Sequence, residues 1–351
     1  MKSLPVIGAG QRSYARQTQA YSTWGGKLLQ HADRLAEIQN ERRFRPITVQ
    51  LAPTEACDLE CGYCSVGNRD TSKRIPWASV ERLLRDFRFL GAKSVEITGG
   101  GNPLLYRDSG KDINHVVWLA HSLGYKIGII TNSKRPLRNL RPDLVDLVDW
   151  IRVSLSYLDD GAGPEDFDFD GIPADKLGLS YIIHGDQYGK PGTTAQTIEN
   201  IARVVERNPG VKFVRIAPDC LTDDSLTIKD RWGGVVEAMD RHGKMFMKEI
   251  GEDYHPFDGG CWVGMLRPYV TAAGGVMICS SHVLATRNYR PEYRLCGFDE
   301  VPETWARMNE RFAAGLPPYE VDIAQCFHCY YKPVNQILHY TTTTLPDRDF
   351  A

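Results

Sequence analysis

The sequence predicts an α/β protein: a partial, open (β/α)6 barrel followed by a small α+β module. Two observations predict the barrel. Short apolar runs rich in β-branched residues alternate with longer amphipathic stretches over about 170 residues, the pattern of parallel βα units. Glycines fall where the amphipathic stretches should stop, at Gly91, Gly124 and Gly210. A third observation predicts the module: the alternation fades after residue 218, and five of the nine cysteines lie beyond residue 220.

Element by element, residues 1–45 read as a helical extension, with Trp24, Leu28, Leu29, Ala32, Leu35 and Ile38 at roughly helical spacing. The barrel region spans 46–220. Its strands are expected at 47–51, 94–98, 126–131, 150–155, 179–183 and 212–217, with helices at 77–90, 112–123 and 195–207. Six strands are too few to close an eight-stranded barrel, and chemistry in such folds gathers at the carboxyl ends of the strands. In the module, 221–351, a helix is expected over 226–247 and a hairpin over 267–280 turning at Ala273-Gly274-Gly275. A second helix is expected over 302–314.

Composition bounds the function. The chain has 351 residues, 42% hydrophobic and 25% charged, with a formal net charge of −2. Without a basic run, nucleic acid is not an expected partner. No apolar stretch approaches a membrane span, and the first residues lack a signal core, so a cytoplasmic protein is expected. Nine cysteines there point to metal or redox chemistry rather than disulfides.

Three cysteines stand at CxxxCxxC spacing, Cys57-Asp-Leu-Glu-Cys61-Gly-Tyr-Cys64, directly after the first expected strand. Three thiolates on one loop can converge on a four-iron cubane, which normally takes four. The fourth iron is then open to a reactant. A structural zinc site, which needs four ligands, is the competing reading. The motif and its place resemble the radical S-adenosylmethionine (SAM) superfamily. That resemblance implies that Cys57, Cys61 and Cys64 hold a [4Fe-4S] cluster whose open iron chelates SAM. One electron, from a donor such as flavodoxin or ferredoxin, then cleaves SAM to a 5′-deoxyadenosyl radical that takes a hydrogen atom from substrate.

Further segments fall where the family places its SAM contacts. Gly99-Gly100-Gly101-Asn102-Pro103 resembles the Gly-Gly-Glu-Pro element that meets the SAM amino group, with the Glu missing. Asn132 ends the third strand as in the family's Thr-Asn-Gly. Ser154 or Ser156 ends the fourth, where a hydroxyl meets the ribose. Tyr63 resembles the aromatic near adenine. Arg215 points either to a carboxylate or to a surface ion pair.

Cys261, Cys279, Cys326 and Cys329 form a four-thiolate set whose spacing resembles the SPASM and twitch extensions of this superfamily. The resemblance implies one auxiliary [4Fe-4S] cluster, as in 2-deoxy-scyllo-inosamine dehydrogenase; a zinc knuckle uses the same shell. Cys296 either replaces one of the four or is a buried thiol. Cys220, just past the sixth strand, is either a hydrogen-atom donor or an apolar filler. His115, His121 and His242 are expected on helices, His184 at a strand end facing the site, and His328 exposed.

The resemblance implies an oxidoreductase that dehydrogenates a small polyol- or sugar-like metabolite. The alternatives are epimerisation with Cys220 or Cys296 as donor, and peptide maturation, for which the segment before the first strand is short. Molybdopterin 3′,8-cyclases are of similar size but end in Gly-Gly, where this chain ends Asp-Phe-Ala. A non-enzymatic zinc or iron–sulfur binding protein is the reading from another class.

Overall fold

A computed structural model describes residues 17, 20–21, 25–222, 225–248 and 255–343. Trp24, the first residues weighed as a signal segment and the terminal Asp-Phe-Ala lie outside the described residues.

A turn of helix at Gly25–Leu28 and α1 (Ala32–Glu41) precede the core. Then come β1 (Thr48–Ala52), α2 (Trp77–Phe89), β2 (Ser94–Ile97), α3 (Ile113–Ser122), β3 (Lys126–Thr131), β4 (Trp150–Ser154), β5 (Leu177–Ile183), α4 (Ala195–Arg207) and β6 (Phe213–Pro218). The chain continues through α5 (Ser225–Met239), β7 (Met245–Met247), β8 (Tyr269–Thr271), β9 (Gly275–Met277), β10 (Arg294–Cys296), α6 (Val301–Ala313) and α7 (Lys332–Thr342).

The helices form where the sequence supplies a face and an end. Val80, Leu83, Leu84 and Phe87 make the buried stripe of α2, and Gly91 takes the left-handed φ of 101° that ends its turn. Asp112 caps α3 by accepting from the backbone N–H groups of Asn114 and His115, and Gly124 (φ 78°) follows its end. Thr194 caps α4, which stops at Arg207, ahead of the expected Gly210.

One ten-stranded sheet runs in the order β10-β9-β8-β1-β2-β3-β4-β5-β6-β7. Eight of its strands, β8 and β1 to β7, pair in parallel, where six were expected. The first extra strand comes from 226–247: the helix ends at Met239, and the three fully buried residues of β7 extend the edge beside β6. The other is the first strand of the expected hairpin, which docks against β1 with Leu51 opposite Val270. Its sequence, too short to signal which neighbour it pairs with, gave no warning of that docking. The sheet therefore crosses residue 220 without a break, and β7 and β10 leave it open at both edges.

The strands alternate in a way that creates the site. Val49, Leu51, Val95, Ile97, Ile127, Ile129, Ile151, Val153, Val214 and Ile216 are buried in the main apolar core. The intervening residues face a cavity of about 1300 Å³ inside the curved sheet, among them Gln50, Glu96, Arg152 and Arg215. Among the described residues, no helix is long and apolar enough to cross a membrane.

Candidate active site

The loop after β1 carries the thiol triplet. Its path is tied to the glycine segment after β2: the N–H groups of Gly101 and Asn102 donate to the carbonyls of Thr54 and Ala56, at 3.2 and 2.7 Å. A methyl group on Gly100 would overlap the Glu55 carboxylate, and one on Gly101 would overlap the Ala56 backbone. Glycine is needed here because two backbones lie in contact.

Cys57, Cys61 and Cys64 lie close enough to influence one another's ionisation. Burial raises the Cys57 thiol, and burial followed by the neighbouring Cys64 pushes Cys61 up to about 11. Metal binding at such thiols must displace protons. Arg69 eases that loss, with Nη1 3.4 Å from Cys64 Sγ and Nε donating to the Glu55 carbonyl at 2.9 Å. Asn132 at the end of β3 reaches back to Cys57 Sγ at 3.7 Å and to Asp58 Oδ1 at 3.1 Å.

Asn102 has a different place from the one its motif suggests. It is buried, accepts from the Leu104 N–H and the Thr131 hydroxyl, and points its amide toward Asp58. Its bonds hold the loop together rather than facing the cavity. Ser154 and Ser156 hydrogen-bond each other at 2.8 Å at the end of β4. Tyr63 is buried, donates to Asp159 at 2.6 Å and lies against His184, ring centroids 4.4 Å apart. Tyr181 and His184 meet the same Asp159, at 2.5 and 3.4 Å. Asp58, Arg69 and Asp159 carried no motif in the sequence.

A second set of thiols assembles beside the sheet's hairpin edge. Cys261, Cys279, Cys326 and Cys329 belong to one apolar cluster with Ala52, Tyr269, Tyr293 and Tyr331. Burial pushes Cys261 up to about 12 and Cys279 well above the usual thiol range, with the other thiols of the set adding to it. Tyr319 places its hydroxyl 3.7 Å from Cys261 Sγ, and Tyr293 places its own 3.8 Å from Cys326 Sγ. Cys329, Tyr330 and Tyr331 line the barrel cavity, as do Gly99 and Cys220.

Cys296 lies apart from this set. It is buried at the end of β10, with Thr304 of α6 as its hydrogen-bond partner. His328 is buried rather than exposed, and His242 sits in the turn after α5 rather than on a helix. Cys220 is shielded beside Tyr330 and Lys248, whose Nζ stands 4.3 Å from the Tyr330 ring centroid. Arg215 faces the cavity and not the surface, among Arg152, Glu96 and Tyr330.

Among the described residues, no three His, Cys, Asp or Glu side chains are arranged around a single ion. Thiolates around a cubane stand further apart than those around one zinc, because each binds a different iron. Both thiol sets suit such a cluster by chemistry, the first on a loop held against the glycine segment and the second gathered in one apolar cluster.

The family described as the Radical SAM superfamily matches residues 51–224, which is β1 to the loop after β6. The chain belongs to the radical SAM superfamily. It therefore uses a [4Fe-4S] cluster and SAM. The 7-carboxy-7-deazaguanine synthase of Koribacter versatilis is 29% identical over 197 residues, covering 53% of this chain and 81% of that relative. The GTP 3′,8-cyclase of Xanthomonas axonopodis pv. citri is 37% identical over 76 residues, 19% of this chain and 22% of the cyclase. Matches to this and the Actinobacillus pleuropneumoniae cyclases thus span 22% to 38% of those relatives. Among solved structures, Streptococcus suis SuiB bound to its precursor peptide SuiA superposes with a TM-score of 0.49 at 15% identity, covering 88% of this chain and 75% of that one.

Proposed function

We propose that this radical SAM enzyme dehydrogenates a small polyol- or sugar-like metabolite, and that Cys261, Cys279, Cys326 and Cys329 hold a second, auxiliary [4Fe-4S] cluster. The observation that carries this reading is that one cavity is lined from beside both thiol sets: by Ser65 and Val66, which follow Cys64, and by Cys329 of the second set. When bound, the first cluster with SAM supplies the hydrogen-abstracting radical and the second an electron acceptor.

The residues on the page supply position and exclusion. Cys57, Cys61 and Cys64 hold the first cluster, with Asn132 and Arg69 beside their sulfurs. Gly99, Gly100 and Gly101 bring backbone close to that loop, where a SAM amino group would be met. Ser154 and Ser156 offer hydroxyls for the ribose, and Tyr63 closes the adenine side. Lys248, lowered to about 7 by burial and then by Arg215, stands ready to take the proton that dehydrogenation releases. Cys220 beside it would donate a hydrogen atom if the outcome were epimerisation. The electron donor would be a flavodoxin or ferredoxin, in the cytoplasm.

A second reading rests on the relatives' names, a cyclase and a synthase. In it the same cavity holds a ring substrate that is rearranged without net oxidation.

Iron and sulfide per chain after anaerobic reconstitution, with 5′-deoxyadenosine formed under dithionite, test the proposal. Wild type is expected to hold about eight irons. Replacing Cys57, Cys61 and Cys64 by Ala leaves about four and abolishes 5′-deoxyadenosine. Replacing Cys261 and Cys279 by Ala also leaves about four but keeps it. About four irons in wild type, with zinc at the second set, would remove the argument for oxidation.

A further inference from the structure

The inner face of the barrel carries charge that the fold does not neutralise. Arg152 of β4 and Arg215 of β6 flank β5, where the neighbouring inward residues are Gly178 and Ser180. Among the described residues, neither guanidinium makes a hydrogen bond or ion pair with the protein, and the Nε of each is buried without a partner. The acid that acts on both is Glu96. Its carboxylate is already held by Arg267 at 3.0 Å and by Gln50 at 2.7 Å. Lys27 and Lys248 add positive charge within reach of Arg215. Burial and then Arg152 lower Arg215 to about 9, and burial with Arg267 lowers Arg152.

Two like charges facing each other away from bulk water are costly unless something compensates them. Guanidinium forks match phosphate and carboxylate oxygens in pairs. Depth separates this pair from the SAM-binding edge. Arg152 lies two residues before the end of β4, and Arg215 lies three before the end of β6. At about 3.3 Å per residue, that is roughly 7–10 Å below the strand ends. The cavity of about 1300 Å³ exceeds the span usual for one small ligand, so two molecules fit together.

We propose that Arg152 and Arg215 bind an anionic group, phosphate or carboxylate, on the substrate, inside the cavity and below the strand ends where SAM would sit. This rests on the reading of the chain as an enzyme whose substrate enters the barrel. The anion anchors the far end of the molecule, and the C–H bond to be broken faces the strand ends. The substrate class is thereby an acidic or phosphorylated metabolite rather than a neutral sugar.

The test is anaerobic titration calorimetry on the reconstituted holoenzyme, with inorganic pyrophosphate, citrate and SAM as separate titrants. Wild type is expected to bind pyrophosphate or citrate, whichever matches the native group, more weakly as salt rises. The Arg152→Gln/Arg215→Gln variant should lose at least tenfold in that affinity, more than any loss for SAM. The Arg152→Lys/Arg215→Lys variant keeps the charge and should recover part of it. That variant also separates loss of charge from loss of fold, which circular dichroism checks in both. Failure of wild type to bind either anion overturns the proposal. So does unchanged anion binding in the Gln variant. Loss of SAM binding with anion binding retained would assign the arginines to the SAM carboxylate instead. The iron content and 5′-deoxyadenosine yield of the same wild-type preparation show independently whether the enzyme reading itself stands.

Discussion

The two thiol sets are built in opposite ways. Cys57, Cys61 and Cys64 lie within eight consecutive residues on one loop, each half-buried. Cys261, Cys279, Cys326 and Cys329 come from three separated segments and meet in an apolar cluster. A loop can hold three thiolates without the rest of the fold depending on them. Four thiolates gathered from distant segments are also a tie between those segments. On the proposed reading, the first set would leave an iron open and reachable and the second would be closed.

That contrast predicts different costs of removal. Stripping the first site with Cys57→Ala, Cys61→Ala and Cys64→Ala should lower the melting temperature by a few degrees. Stripping the second with Cys261→Ala and Cys279→Ala should lower it by roughly 10 °C or more, since metal-binding energy at a tie is folding energy. Cys296→Ala is the control, since its partner is Thr304 and not the set: iron stays at the wild-type level. Anaerobic calorimetry on the three variants, with iron assays alongside, reads both. Equal losses from the two sites would mean the second set does not tie its segments.

The same contrast explains what the sequence disclosed. The triplet and the glycine segment were legible because the chemistry needs neighbours in the chain, and Gly99 and Gly101 are fixed by backbone contacts that only glycine permits. The four-thiol set was legible as a list of spacings, but its position was not. The short strands Tyr269–Thr271 and Gly275–Met277 give no sign that they extend the barrel beside β1. The charged cavity wall, Arg215 aside, was hidden for another reason. Glu96, Arg152 and Arg215 sit at alternate positions in apolar strands, and alternation alone does not tell a solvent face from a lined cavity. Asn102 shows the converse: a residue at a motif position can be used wholly for packing.

The cavity wall also carries Lys248, whose ammonium is disfavoured by burial and then by Arg215, lowering it to about 7, while Cys220 acts in the opposite sense. In the unfolded chain a lysine titrates near 10.4. From about pH 7 to about pH 10 the unfolded chain therefore binds the extra proton, and stability rises with pH across that window. Below about pH 7 the penalty is present in full. Lys248→Met should flatten this part of the urea-midpoint profile relative to wild type. An unchanged slope would show that the ammonium is compensated in the folded protein.

The smallest effects should be the most site-specific. Each set has a donor aimed at one sulfur: the Arg69 guanidinium 3.4 Å from Cys64, and the Tyr319 hydroxyl 3.7 Å from Cys261. A hydrogen bond to a ligating sulfur draws off electron density and favours the reduced cluster, so it raises the reduction potential. Removing it lowers the potential of that cluster alone. Arg69→Met should shift the first cluster further than Tyr319→Phe shifts the second, because a charged donor bonds more strongly than a neutral one and also offsets the cluster's negative charge. Redox titration followed by electron paramagnetic resonance resolves the two clusters in each variant. If Tyr319→Phe moved both potentials, the sites would be electrically coupled across the cavity. From the second set, Tyr331, two residues past Cys329, reaches part of the way, through its hydroxyl to Gln50 and from Gln50 to Glu96 in the cavity.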